Sequence, residues 1–222
     1  ALGVDLDREV LDYAETVHLP QLSSSQRRRL ALKRSDVRTH VSSKSFDWIG
    51  AFNYSVFEFH ERRDLLQYAR SACRSLKPSG GTLFLEIAGG PGFLASRSEE
   101  KTLRLPRIGR VRQIWEQHVH DPISAINDYS IHFQLPDGTW LNDAFSYHWR
   151  IWGIRELREI LLEAGFDDTR VLWEQTNRRG EGTGEFVLRE EAEPYESWVA
   201  LVIGIRGKGP KSRTRSSGRR PG

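Results

Sequence analysis

Apolar positions along the chain follow first a helical spacing and then an extended one. In DREVLDYAETV, Val10, Leu11, Ala14 and Val17 recur at helical intervals behind Asp7, a side chain suited to cap the first turn. The apolar run before it, Ala1 to Val4, ends in Asp5 and predicts a strand end feeding that helix. SSSQRRRLALKRSDVRTH reads as a polar connection, a short strand about Leu30 to Lys33, and a turn at Ser35-Asp36. Phe46, Trp48, Ile49, Ala51 and Phe52 make FDWIGAFNYS nearly continuously apolar, the pattern of a parallel strand covered on both faces. From about Arg62 to Leu76 apolar residues return every three or four positions, predicting an amphipathic helix that KPSGG closes with a glycine. TLFLEIAGG is a further buried strand.

The rhythm then changes to alternation. RQIWEQHV, AINDYSIHFQL and TWLNDAFSYHW place polar residues between β-branched and aromatic ones, and Asp137-Gly138 is a hairpin signal. These segments predict an antiparallel insertion at about 108–150. GIRELREILLEAGF returns to helical spacing and ends at Gly165; DDTRVLWEQ is a strand, NRRGEGTGE a polar loop, and ESWVALVIGIR a last apolar strand. Strands alternating with helices imply right-handed crossovers and a mostly parallel sheet.

Composition adds three constraints. The net charge of +3 comes from the last sixteen residues, which hold six Lys and Arg and no acid; without those six charges the body stands at −3. The basic character therefore belongs to a Gly/Ser/Pro-rich tail at 207–222 that cannot bury a core and is expected to be disordered, so a nucleic-acid partner is not expected beyond nonspecific attraction. No apolar run reaches the length of a membrane span, and no leader peptide is visible at the first residue. A lone cysteine, Cys73, excludes an internal disulfide and fits a reducing compartment, with the cytoplasm as the default expectation.

The order of these pieces resembles the class I S-adenosylmethionine-dependent methyltransferases. GVDLDREVLDYAE is similar to that family's second strand and following helix, and RSDV to the segment after its third strand. FDWIGAFNYS through TLFLEI resembles the fourth strand, its helix and the fifth strand, with an LKPGG-like turn; LREILLEAGFDDTRVLWEQ resembles the last helix and sixth strand. The resemblance covers about 1–90 and 150–206. It implies an α/β, Rossmann-like, mostly parallel sheet over 1–206, with S-adenosyl-L-methionine as cofactor and a small-molecule methyl acceptor as partner. The sequence departs from the family at the start: it begins after the place of a first strand and GxGxG loop. GGPG at 89–92 follows a later strand and reads as a turn. The resemblance therefore predicts a truncated domain whose central first strand is missing. Its second and fourth strands either pair directly or leave a gap, and cofactor binding is weak.

Methyl transfer asks the protein mainly to align the acceptor with the methyl group and exclude water. In open sheets ligands sit beyond the carboxyl ends of strands. By the resemblance, Asp5 closes its strand where a carboxylate accepts the ribose hydroxyls, Asp36 and Val37 stand where the adenine is contacted, and Asn53 lines the cleft. Tyr54 and the insertion's Trp115, Glu116, Tyr147 and Arg150 are the candidate acceptor contacts, with Tyr54 and His60 as candidate proton acceptors. Alternation puts Trp115 and Gln117 on one face and Glu116 and His118 on the other. His118, His120 and His132 lack the spacing and cysteine partners of a metal site. The alternative to an enzyme is a non-catalytic binding or scaffold protein derived from a methyltransferase.

Overall fold

A computed structural model describes residues 1–178 and 180–207; the basic stretch from Lys208 onward lies outside the described residues. The elements are β1 (Leu2–Asp5), α1 (Arg8–Tyr13), α2 (Ser24–Arg27), β2 (Ala31–Arg34), β3 (Trp48–Ala51), α3 (Arg62–Ser75), β4 (Gly81–Gly89), α4 (Pro91–Leu94), β5 (Arg97–Leu105), β6 (Gly109–Gln117), β7 (Ile126–Gln134), β8 (Trp140–Arg150), α5 (Ile154–Glu163), β9 (Asp168–Thr176), β10 (Gly182–Leu188) and β11 (Trp198–Arg206). They form a parallel pair β1-β2, a five-stranded sheet in the order β10-β9-β11-β4-β3, and a four-stranded antiparallel sheet β5-β6-β7-β8.

The mostly parallel sheet expected from the sequence is corrected here. Only β3 with β4 and β1 with β2 pair in parallel, whereas β11 runs antiparallel between β4 and β9. A hairpin return explains the difference: β9 and β11 are linked through β10 without a crossover helix, so the last strand re-enters the sheet in the opposite direction. β10 itself falls on the segment read as a polar loop, because its glycines mask the alternation. The insertion also begins earlier than expected, with β5 at Arg97. The charged run RSEEKTLRL carries too few apolar residues to announce a strand.

The strands likened to the family's second and fourth, β1 and β3, stand in separate sheets. Among the described residues, β1 pairs only with β2 and β3 only with β4. A cavity of about 270 Å³ lies between the two sheets, lined by Leu2, Val4, Val37, Phe46, Trp48 and Ile49. This edge position corrects the expectation that β3 is covered on both faces: Trp48 is 76% exposed and Phe52 53%.

The core packs α3 and α5 on one face of the five-stranded sheet. Leu65, Ala69 and Leu76 meet Leu83, Leu85 and Ile87 of β4 and Leu157 and Leu161 of α5, all almost fully buried. Burying each such side chain contributes about 1.5–3 kcal/mol. The end of α3 differs from expectation. Leu76 is already extended (φ −88°, ψ 155°), Gly80 (φ 81°) turns the chain into β4, and the Arg206 guanidinium donates to the carbonyls of Cys73 and Leu76 at 2.6 and 2.7 Å. A cation on the last turn does what the glycine was expected to do. Gly165 (φ 104°) follows α5 as foreseen, and the Phe166 N–H closes back on the Leu161 carbonyl at 3.2 Å.

Two further contacts hold the β1-β2 pair against this body. Ser71 Oγ, buried on α3, donates to the Arg38 carbonyl at 2.6 Å, and Ser75 Oγ accepts the Ser42 N–H at 3.0 Å. Asp7 caps α1 as its position predicts, accepting the Glu9 and Val10 N–H groups, although Val10 itself stays half exposed.

Candidate functional site

Two cavities meet the chain at the end of β3. One, of about 590 Å³, is lined by Asp5, Asp36, Val37, Ala51 and Ser55 among others. The other, of about 370 Å³, is lined by Tyr54, Phe93, Trp115, Trp173, Trp198 and Glu174 among others. Tyr54 and Ser55 are consecutive and line one cavity each. The turn that divides them is unusual: Asn53 and Tyr54 both hold left-handed backbone (φ 53° and 57°), a conformation that costs a non-glycine residue about 1 kcal/mol or more. The Glu86 carboxylate on β4 accepts the Asn53 N–H at 2.5 Å and secures the turn.

The first cavity brings together three of the four residues expected to face a cofactor. Asp5 ends β1 and accepts the Asp7 N–H at 2.9 Å through one carboxylate oxygen. Asp36 is clamped by its neighbour Arg38, whose Nε and Nη2 reach Oδ2 at 2.9 and 2.7 Å, and these bonds hold the carboxyl below the usual carboxylate range. Val37 adds apolar wall. Asn53, the fourth, lines neither cavity among the residues that define them; its contribution is the turn.

The second cavity sits between the antiparallel sheet and the β9–β10 hairpin. Trp115, Tyr129, Tyr147 and Trp149 form one aromatic face on β6, β7 and β8, with Tyr147 and Trp149 rings 4.4 Å apart. Trp173 and Trp198 stack across β9 and β11 at 5.0 Å. Gln117 fixes the floor: its amide nitrogen donates to the Gly92 and Ala95 carbonyls at 2.9 and 2.7 Å, and its oxygen accepts the Trp115 indole N–H at 3.1 Å. GGPG runs from the last residue of β4 through Gly90 (φ 102°) into the first turn of α4; Gln117 holds the Gly92 carbonyl, and the following Phe93 enters the cavity wall.

Of the candidate acceptor contacts, Tyr54 and Trp115 line this cavity and Tyr147 packs behind Trp115 at 6.1 Å. Glu116 and Arg150 stand elsewhere. Glu116 is on the opposite face of β6, bound to His132 Nε2 at 3.1 Å, as strand alternation requires. Arg150 lies over the Trp152 ring at 3.7 Å and donates to the His60 carbonyl at 2.7 Å. Burial, together with the Glu86 and Glu174 carboxylates, pushes the Tyr54 phenol up from its ordinary value. His60 meets the His148 carbonyl at 2.6 Å, outside both cavities. Sequence reasoning missed Glu174, Trp173, Trp198 and Arg97, all of which line the aromatic cavity. Trp173 and Trp198 read there only as apolar strand positions. Nothing local marks Glu174, since only the β9–β10 pairing brings it to the cavity.

No protein-family model matches the chain, and no curated protein matches it. Solved structures do. An S-adenosylmethionine-dependent methyltransferase from Clostridium acetobutylicum ATCC 824 aligns over 93% of this chain and 75% of its own, with a TM-score of 0.59 at 16% identity. The sugar N-methyltransferase KedS8 from Streptoalloteichus sp. ATCC 53650 aligns over 94% and 71%, with a TM-score of 0.63 at 16% identity. CalS10 from Micromonospora echinaspora, an amino pentose methyltransferase solved with S-adenosylmethionine bound, aligns over 92% and 73%, with a TM-score of 0.64 at 14% identity. The chain has the mixed α/β fold of the S-adenosylmethionine-dependent methyltransferases.

Proposed function

We propose that the chain acts in S-adenosyl-L-methionine-dependent methylation of a small molecule, with the nucleoside part of the cofactor in the Asp5–Asp36 cavity and the acceptor in the aromatic cavity. The observation that carries this reading is the pair of cavities divided by Asn53, Tyr54 and Ser55 at the end of β3. Adjacent residues of one turn reach both, which is the arrangement a transfer between two bound molecules needs.

The donor set suits the nucleoside. Asp5 offers a carboxylate at a strand end, as ribose recognition requires, and Val37 offers apolar surface beside a backbone turn. Asp36, already neutralised by Arg38, adds an acceptor without a net charge. When bound, the cofactor supplies an activated methyl group; the protein's own residues orient the acceptor and keep water away with the Trp115, Trp173 and Trp198 rings. Two solved neighbours act on sugars or amino sugars, and an aromatic cavity of this size suits a ring-bearing acceptor. The second reading is a binding protein on the same fold.

Calorimetry with S-adenosylhomocysteine tests the proposal. Binding that falls about tenfold or more in Asp5→Ala, the loss of a charge-assisted hydrogen bond, supports it. Absence of binding, or equal affinity in Asp5→Ala, rejects it in favour of the binding protein.

A further inference from the structure

The aromatic cavity holds two acidic side chains in different electrical situations. Glu99 on β5 is paired: the Arg97 guanidinium lies 3.0 Å from it and 3.9 Å from Glu196. Glu174 on β9 has no cation paired with it among the described residues. Its Oε1 accepts one backbone N–H, that of Gly184, at 2.9 Å. The carboxylate is held against the β9–β10 hairpin where the pairing register shifts, and it lies so close to Gly182 that a Cβ there would stand 2.5 Å from Oε1 and 2.6 Å from Oε2. The hairpin thus presents a carboxylate without an ion-pair partner among the described residues to a cavity lined by Tyr54, Trp115, Trp173 and Trp198.

One more feature bears on what such a cavity takes. Indole and phenol faces attract cations by about 0.5–2 kcal/mol each, more where water is excluded. A carboxylate beside aromatic faces matches a ring that carries an amine.

We propose that Glu174 is the specificity-determining residue of the aromatic cavity, capturing the ammonium form of an amine-bearing small molecule. The inference rests on the acceptor half of the function proposed above and deepens it. It concerns recognition, in which no bond is made or broken. Gly182 is part of the device, because any side chain there pushes the carboxylate out of position.

Glucosamine and glucose, which differ at one carbon by amine against hydroxyl, serve as probes of the full chain, with the fluorescence of Trp115, Trp173 and Trp198 reporting occupancy. Glucosamine is expected to bind at least tenfold more tightly than glucose at pH 6.5. That preference is expected to disappear in Glu174→Gln, to shrink several-fold in Gly182→Ala, and to fade as pH rises and the amine loses its proton. Thermal melting within a few degrees of the parent chain shows that both variants are folded. Equal affinity for the two sugars, or a preference that survives Glu174→Gln, overturns the proposal. S-adenosylhomocysteine binding, measured separately, keeps the two claims apart. An amine preference without cofactor binding leaves this inference standing and sinks methyl transfer, and cofactor binding without an amine preference does the reverse.

Discussion

The indole N–H of Trp149 donates to the Glu58 carboxylate at 2.8 Å, across 91 positions of sequence. Trp149 is on β8 of the antiparallel sheet, and Glu58 follows the turn that divides the two cavities, so this bond registers one sheet against the other. Trp149→Phe is expected to cost about 1–3 kcal/mol, from the lost donor and the reduced volume at a site only 4% exposed. Glu58→Gln keeps an acceptor and should change stability by less than about 0.5 kcal/mol. Urea unfolding of the two variants separates these outcomes.

Gln117 holds the floor of the aromatic cavity through a single amide. Gln117→Leu leaves the Gly92 and Ala95 carbonyls and the Trp115 indole without this partner in a region that is 3% exposed. The expected loss is about 2–4 kcal/mol, since stranded buried polar groups cost more than the bonds contributed. Differential scanning calorimetry measures it, and a loss below about 0.5 kcal/mol would remove Gln117 from this role.

Burial raises the phenols of Tyr54, Tyr68 and Tyr129, the last to about 12. Each keeps its proton in the folded chain where the unfolded chain has lost it. The stability they contribute is therefore whole below about pH 10, the ordinary tyrosine value, and declines as pH rises toward the folded values. The expected decline is about 1.4 kcal/mol per pH unit for each buried phenol. Chemical denaturation at pH 9, 10 and 11 follows it; a flat profile above pH 10 would show the three rings open to solvent. Tyr68→Phe removes that residue's share of the slope.

Trp48 lies on a strand edge that is unpaired among the described residues, with three-quarters of its surface in water, and its ring meets the edge of Phe84 at 6.4 Å. Trp48→Lys is expected to leave the melting temperature within about two degrees, because little surface is buried there. It should also reduce concentration-dependent association, since a charge blunts an exposed edge. Light scattering at increasing protein concentration checks this. Unchanged association would mean that the β3 edge is not the contact.

Local chemistry was enough to foresee α3, α5, β4 and three of the insertion's antiparallel strands, β6, β7 and β8. Their signals are periodic and repeat within a few residues: Leu65 with Ala69, Leu157 with Leu161, Trp115 with Gln117. The cap at Asp7, the hairpin at Asp137-Gly138 and the stop at Gly165 are also local, because each depends on a side chain and backbone groups within three residues of it. Asp5, Asp36 and Val37, which the family resemblance put beside a cofactor, line one cavity.

Tertiary structure alone decided the rest. The direction of β11 depends on which neighbours it pairs with, and ESWVALVIGIR would fill a parallel or an antiparallel slot equally well. Arg206 ends α3 from 130 positions away, where KPSGG had suggested a local glycine cap. Glu116 and Glu174 make the contrast plain. Both are acids one position from a tryptophan on a strand, and composition does not distinguish them. Strand alternation turns Glu116 away to His132, and the register shift between β9 and β10 brings Glu174 to the aromatic cavity without an ion-pair partner among the described residues. Whether a carboxylate is solvated, paired or left to a ligand depends on what distant strands bring to it, and no spacing within the chain carries that information.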